Sequence, residues 1–250
     1  AGGSSIRIMN LPILMYHHIQ TDSLVLSRFA VSLRSFQRQI GWLTQKGYET
    51  ISLERLGSAI QGQETLPRKP VIITFDDGYQ SVWDHAKPIL DQSGFTATVF
   101  LVSQAIGKRN IWDLPKSNPI LPCMGEATCR RLLDDGWQIG SHGLNHLRLS
   151  ELAPKALNEE ITGSKIFLEQ LFDCEITTFC YPHGAWNDMV QENVKRAGYQ
   201  MACATSSKSA TVTGDPWALR RVKIKGSDNL LDFKRKISNW YLAYRGWRKR

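Results

Sequence analysis

The stretch Val71–Tyr79, VIITFDDGY, places two adjacent carboxylates, Asp76 and Asp77, directly after an apolar run. A short apolar run rich in β-branched residues is typical of a buried strand. Adjacent like charges repel each other, so an acid pair at the end of such a strand needs a partner that neutralises one of them. The stretch therefore indicates both a strand and a candidate functional site at its carboxyl end.

The rest of the chain alternates short β-rich runs with longer amphipathic runs, and several of the predicted helices end at glycine, namely Gly47, Gly94, Gly136 and Gly198. This alternation predicts an α/β fold with a parallel sheet, and so many units in one domain favour a closed or nearly closed barrel. The stretch 106–121, which contains two prolines and lacks periodicity, is predicted to cross the barrel mouth.

Length, charge and cysteine content limit the function classes. The 250 residues, 42% of them hydrophobic, suit a single domain, and the net charge of +8 favours anionic partners such as acidic glycans, phospholipid surfaces or nucleic acid. Five cysteines without a CxxC pair argue for free thiols in a reducing compartment. We therefore expect a cytoplasmic protein.

The start AGGSS reads as vector-derived, so residues 1–10 are predicted to be a flexible start. A periplasmic location is the alternative if a leader was removed.

Polar clusters follow four of the predicted strands. In a parallel barrel the loops that leave the carboxyl ends of the strands converge above the core, and chemistry takes place there. The clusters are Tyr16-His17-His18, Asp76-Asp77, His142 and Tyr181-Pro182-His183-Gly184. These strand ends therefore bring carboxylates and imidazoles to one face.

A divalent metal ion explains the acid pair, because one aspartate can bind the ion while its neighbour stays ionised as a base. His142 and His146 are four residues apart, and two histidines with one aspartate complete an open site. Zinc is the simplest choice, with cobalt, nickel or manganese as alternatives. Taken alone, the acid pair also fits a turn or a helix N-cap. Gly143 stands where an HExxH protease has glutamate, which disfavours that class.

The motifs TFDDGY, SHGLNH and FCYPHG together resemble the polysaccharide deacetylase family, the NodB-homology carbohydrate esterases. The opening PILMYHHI and the segment GWQIGSH are similar to its exopolysaccharide-processing branch. The resemblance spans about residues 11–224. It implies a single distorted (β/α)7 barrel, placed here at residues 11–230, and metal-dependent removal of acetyl groups from N-acetylhexosamine in a glycan or a lipid-linked saccharide.

The resemblance implies a role for each motif residue. Asp77, His142 and His146 match the metal ligands, and Asp76 matches the catalytic base. The backbone N–H of Tyr181 matches the family's oxyanion donor.

Pro182 and Gly184 are expected to shape the loop that carries this N–H, and His183 is expected to contact substrate or to serve as the general acid. Many family members use a late L-x-H histidine as the acid, but this chain has no histidine after His183. The branch then points to His17 as the acid, with His18 as the alternative. Adjacent strand residues face opposite sides, so only one of these two can enter the site.

Arg221 resembles the arginine that holds the base aspartate, while an exposed, solvated charge is the alternative for it.

Residues 231–250 are predicted to form a basic, aromatic C-terminal helix, because Ile237, Trp240, Tyr241, Tyr244 and Trp247 share one helical face. That face either packs on the barrel or lies on an anionic membrane surface.

Three other functions stay open: an O-acetyl esterase, a hydrolase of a non-sugar C–N bond, and a non-enzymatic glycan- or nucleic-acid-binding protein. A binding protein would not require the acid pair, the histidine pair and the YPHG loop together, which argues against a nucleic-acid partner.

Overall fold

The computed structural model describes residues 11–21, 29–112, 120–204, 215–238 and 240–242. Within these ranges, nine strands form one parallel sheet, and two short strands form a second one. In chain order the strands are β1 (Ile13–Tyr16), β2 (His18–Gln20), β3 (Ala30–Ser32), β4 (Glu49–Thr50), β5 (Pro70–Phe75), β6 (Thr98–Leu101), β7 (Gln138–Ser141), β8 (Thr178–Cys180), β9 (Met201–Ala204), β10 (Leu219–Arg220) and β11 (Val222–Lys223). Among the strands of the described residues, β2 and β3 pair only with each other.

The segment 219–223 nearly closes the main sheet into a barrel. The strand order is β10-β9-β8-β7-β6-β5-β1-β11, with β4 beside β5. In β10, Leu219 pairs with Cys203 of β9, whereas in β11 Val222 pairs with Leu14 of β1. Only Arg221 separates β10 from β11, so one chain segment contacts both edges of the sheet. With that segment taken as one strand, seven strands surround the axis and the predicted (β/α)7 barrel is confirmed.

Helices cover the outside of the barrel. They are α1 (Leu33–Gln45), α2 (Leu53–Ile60), α3 (Lys87–Gln92) after a π-helical turn (Val82–Ala86), α4 (Glu126–Asp134), α5 (Pro154–Phe172), α6 (Asp188–Arg196) and α7 (Leu230–Lys236). The four glycines predicted to end helices all have positive φ, between 65° and 88°. The sequence analysis did not predict α2, which begins at Leu53 and is capped by Ser52, whose side chain accepts the Arg55 N–H.

The period of two in β5 decides which side chains enter the barrel. Ile72 belongs to an interior apolar cluster, while Val71, Ile73 and Phe75 belong to the cluster between the sheet and the helices. Asp76 lies two residues after Thr74 and therefore continues the interior row. The apolar side chains of this interior cluster fill the barrel below Thr74 and Asp76. The polar residues therefore lie at the carboxyl ends of the strands.

The C-terminal segment differs from the prediction of one continuous helix. The helix α7 ends at Lys236, and residues 240–242 are helical again after Ser238, whose hydroxyl accepts the Tyr241 N–H. Ile237 is buried whereas Trp240 is 68% exposed, so they do not share one buried face. The predictions for residues 1–10, Tyr244 and Trp247, and part of that for 106–121, lie outside the described residues.

Among the residues that the structure describes, none forms a helix with the length and apolar character that crossing a membrane requires.

Candidate metal-dependent active site

The two adjacent aspartates reach the same space because the backbone turns between them. The Asp76 N–H donates to the Tyr16 carbonyl at 3.0 Å, so Asp76 still follows the sheet ladder. Asp77 has φ 72° and Gly78 has φ 67°, both in the left-handed region. That conformation is costly for a non-glycine residue and is often found at functional sites. The turn redirects Asp77, which an extended strand would point away from the interior.

Asp77, His142 and His146 form a compact set of ligand atoms. Asp77 Oδ1 lies 3.4 Å from His142 Nε2 and 3.3 Å from His146 Nε2. The atoms that could bind an ion all lie within 4.8 Å of one another, and all three residues are buried. Two imidazoles and one carboxylate suit zinc and the other first-row divalent ions. The structure therefore brings together the three ligands that the sequence predicts, and their chemistry fits a metal ion.

His142 is oriented for this role by its second ring nitrogen. Its Nδ1 lies 2.7 Å from the Cys180 carbonyl, which can only accept a hydrogen bond. The proton is thus placed on Nδ1, and the lone pair of Nε2 faces Asp77, as in most histidine metal ligands. Asp76, His142 and Cys180 also lie close together, but the hydrogen bonds of Nδ1 and of the Asp76 carboxylate leave that group unsuited to an ion.

The charge of Asp77 is fixed by its two histidine neighbours. Burial by itself raises the pKa of this carboxyl, but the imidazoles of His142 and His146 beside it outweigh burial and hold the pKa well below its ordinary value. Asp77 is therefore ionised at neutral pH, as a metal ligand must be.

Asp76 is held by a buried arginine. Arg221 Nη1 and Nη2 donate to the two Asp76 carboxylate oxygens at 2.6 and 2.7 Å, and the Arg221 side chain is fully buried. Nη1 also donates to Thr74 Oγ1, and Nη2 to Cys180 Sγ, each at 3.0 Å. Burial raises the pKa of Asp76, but the guanidinium outweighs burial and lowers it. The exposed alternative for Arg221 is therefore wrong, and the structure joins Asp76 to the arginine that was predicted to hold it.

His17 and His18 face different surroundings. Burial lowers the pKa of His17, while the charges of Asp77 and Asp76 raise it, which places this imidazole within their electrostatic reach. Its ring stacks on Phe29 with centroids 4.4 Å apart, and its buried Nδ1 has no hydrogen-bond partner among the described residues. The His18 ring instead meets the edge of Tyr79 at 5.4 Å. His17 therefore lies within electrostatic reach of both carboxylates, while His18 packs against Tyr79.

The YPHG loop departs from its predicted role at one point. The Tyr181 N–H donates to the Cys203 carbonyl at 3.2 Å, so the pairing of β8 with β9 extends one residue further than expected. The Tyr181 hydroxyl donates to the Trp217 carbonyl at 2.7 Å and anchors the loop from the other side. In this structure the Tyr181 N–H is occupied by the sheet, and the prediction that it holds an oxyanion is not supported.

The other residues of this loop pack beside the candidate metal ligands. His183 has φ 57° and its ring lies 4.4 Å from the ring of His146. Its Nε2 is 3.2 Å from the His146 carbonyl. Gly184 has φ 66°, and Pro182 is buried. The loop therefore forms one wall of the site.

Three side chains of the site escaped the sequence analysis. Thr74 could have been found, because it precedes Asp76 by two residues on the same face of β5. Cys180 contacts Arg221 but resembles an ordinary core thiol in the sequence. Trp112 packs on His146 with ring centroids 4.6 Å apart, and only the three-dimensional fold brings the 106–121 stretch to this ligand.

Comparison with known proteins agrees with this geometry. A family model described as Polysaccharide deacetylase matches residues 63–202, more than half of the chain. YxkH of Bacillus subtilis (strain 168) is 29% identical over 214 residues, which cover 86% of this chain and 71% of that protein. The poly-beta-1,6-N-acetyl-D-glucosamine N-deacetylase of Staphylococcus aureus (strain MSSA476) is 23% identical over 229 residues, which cover 88% of this chain and 75% of that one.

Two solved structures share the fold. The Streptococcus pyogenes deacetylase PplD in complex with acetate has a TM-score of 0.77 and 22% identity, over 91% of this chain and 98% of that chain. The de-N-acetylase from Aggregatibacter actinomycetemcomitans has a TM-score of 0.76 and 21% identity, over 90% and 99%.

The chain belongs to the polysaccharide deacetylase family. It is a hydrolase of the class that acts on carbon–nitrogen bonds other than peptide bonds.

Proposed function

We propose that the protein is a metal-dependent de-N-acetylase that hydrolyses the acetamide of N-acetylhexosamine in a glycan or a lipid-linked saccharide and releases acetate. One observation carries the proposal: a buried Asp77-His142-His146 set lies beside a second carboxylate, Asp76, which Arg221 holds ionised. A ligand set next to an ionised base is what hydrolysis of a small acyl group requires.

The side chains divide the work between them. A divalent ion bound by the three ligands, proposed here as zinc, supplies Lewis-acid activation of water and of the acetamide carbonyl. Asp76 accepts the proton of the attacking water, because its carboxylate is oriented by two hydrogen bonds from Arg221. His17 is the proposed acid that protonates the leaving amine. Its lowered pKa makes its protonated form a stronger acid than an ordinary imidazolium.

The test is acetate release by the zinc-loaded protein from a panel of acetylated substrates. The panel contains poly-N-acetylglucosamine, a lipid-linked N-acetylhexosamine, an O-acetylated glycan and a non-sugar acetamide. Asp76→Asn is expected to lose about 10²-fold or more of the activity while it keeps the metal. Asp134→Asn, an exposed aspartate on α4, is the matched control and should behave as wild type. Release from only the O-acetylated glycan or only the non-sugar amide would replace the proposed substrate, and metal binding without any release would favour a binding protein.

We further propose that the protein works in the cytoplasm at the inner membrane, on a lipid-linked saccharide. The support is a surface near the C-terminus where Leu231 is 74% exposed and Trp240 is 68% exposed. The basic residues Lys234 and Arg235 lie in the last turn of α7 between them. Exposed apolar and aromatic side chains beside positive charge suit the headgroup region of an anionic bilayer.

Flotation with vesicles tests the membrane proposal. Wild type is expected to float with vesicles that contain phosphatidylglycerol at low salt, and less at high salt, because screening weakens the attraction. Trp240→Ala should reduce flotation, whereas Ile166→Ala, which truncates an exposed apolar side chain on α5, should not. Absence of flotation at low salt would refute the proposal and leave the deacetylase proposal untouched.

A further inference from the structure

The segment between the two histidine ligands, residues 142–146, has an irregular backbone and is called the histidine loop below. Gly143 has φ 80° and His146 has φ 62°. A histidine in the left-handed region is strained and persists only where the surroundings fix it. The loop therefore needs an external support if His146 is to face Asp77 and His142.

Glu160 supplies hydrogen-bond acceptors to this loop from helix α5. Its Oε2 accepts the backbone N–H groups of Leu144 and Asn145 at 3.1 and 3.0 Å. Its Oε1 accepts from Asn145 Nδ2 at 2.6 Å. The residue is 3% exposed, so its carboxylate is buried together with its three donors. A carboxylate is a pure acceptor, and hydrogen bonds to it are stronger than neutral ones.

The opposite side of the histidine loop is held as well. The Ser103 and Gln104 N–H groups donate to the carbonyls of Gly143 and Leu144 at 3.1 and 3.0 Å. A Cβ at Gly143 would lie 3.2 Å from Glu160 Oε2, which shows how closely the loop backbone lies against the carboxylate. The loop is thus fixed between α5 and the turn that follows β6.

We propose that Glu160 is a positioning residue that sets the metal affinity, because it holds the histidine loop in the one conformation that places His146 beside Asp77 and His142. This inference rests on the metal site of the proposed function and deepens it. Glu160 acts through the loop backbone at residues 144 and 145, which separates its role from that of the ligands. A merely structural carboxylate on α5 would support the fold without affecting the affinity for metal.

The experiment measures zinc affinity by competition with a chromophoric chelator, together with the melting temperature of the metal-free protein. Glu160→Gln is expected to bind zinc about 10- to 100-fold more weakly than wild type, the range typical of residues that orient metal ligands. Glu159→Gln is the matched control, because it removes the same charge from the neighbouring, exposed position of α5 and should leave the affinity unchanged. The visible spectrum of bound Co²⁺ should change in Glu160→Gln but not in Glu159→Gln.

A second variant keeps the test decisive if Glu160→Gln fails to fold. Asn145→Ala removes one of the three donors and leaves the carboxylate in place, so we expect a several-fold weaker affinity with a near-normal melting temperature. Equal zinc affinity and equal Co²⁺ spectra in wild type and in the folded variants would overturn the role of Glu160 while the metal site stands. If wild type itself binds no zinc or Co²⁺, the proposed metal-dependent function fails, and the role of Glu160 fails with it.

Discussion

Replacement of Arg221 by methionine should destabilise the protein strongly, because it leaves the Asp76 charge buried without its partner. The two hydrogen bonds of 2.6 and 2.7 Å join groups that are at most 3% exposed, so solvent does not screen the pair. Removing one partner of a buried ion pair costs about 3–5 kcal/mol. For a chain of this size that corresponds to a fall in melting temperature of about 6–20 °C.

Thermal unfolding followed by circular dichroism measures this effect. Arg131→Met, an exposed arginine on α4, is the control and should change stability by no more than about 0.5 kcal/mol. The double variant Arg221→Met/Asp76→Asn should be more stable than Arg221→Met alone, because it no longer buries an uncompensated charge. A melting temperature of Arg221→Met within about 2 °C of wild type would refute the reasoning, since the expected fall is about 6 °C or more.

The pH dependence of activity is an independent test of the ion pair between Arg221 and Asp76. Asp76 can act as a base only while it is ionised, so activity falls as the pH drops through its pKa. The Arg221 guanidinium outweighs burial and lowers this pKa below the ordinary value of 3.8. In Arg221→Lys the bidentate contact is lost, the pKa rises, and the acid limb of kcat/KM should move to higher pH. An acid limb at the wild-type position would show that Arg221 does not set the ionisation of the base.

Three further predictions concern the ligands, the acid and the thiols. Asp77→Asn should lose bound zinc, measured by mass spectrometry of the purified protein, and a wild-type zinc content would contradict its role as a ligand. His17→Gln should lower kcat by about 10²-fold or more and His18→Gln should not, whereas equal loss in both would remove the assignment of His17 as the acid. Burial raises the pKa of Cys123 to about 12, so at pH 8 iodoacetamide should label the half-buried Cys174 first, as peptide mapping can verify.

The sequence contains most of the barrel, because the alternation of strands and helices is written in side-chain periodicity. It also contains the placement of Asp76, since the interior row of β5 runs from Ile72 through Thr74 with a period of two. The helix ends were predictable for the same local reason, as glycine favours the left-handed conformation observed at each of them.

The features that the sequence did not reveal depend on the backbone or on distant contacts. The side-chain pattern of segment 219–223 does not indicate that this segment pairs with both edges of the sheet. That pairing buries Arg221 where the barrel closes. The hydrogen bond from the Tyr181 N–H to the Cys203 carbonyl was not predicted, because backbone pairing between β8 and β9 continues past Cys180 and side-chain patterns do not determine where such pairing stops. Glu160 looked like one more charge on an amphipathic helix, since the histidine loop that it supports lies beside it only in the folded chain.

The proposed roles of the two adjacent acids differ because their neighbours differ. Asp76 and Asp77 contribute two buried negative charges, and Arg221 contributes one positive charge, which leaves one net negative charge when the imidazoles are neutral. A divalent ion held by Asp77, His142 and His146 would reverse the sign of this pocket, and a positive pocket would favour the negative charge that develops during hydrolysis of an acetamide. Arg221 occupies the oxygens of Asp76, so the ion is left to Asp77 and its two histidines. In the proposed mechanism, the arginine at the barrel closure therefore decides which acid is the base and which is the ligand.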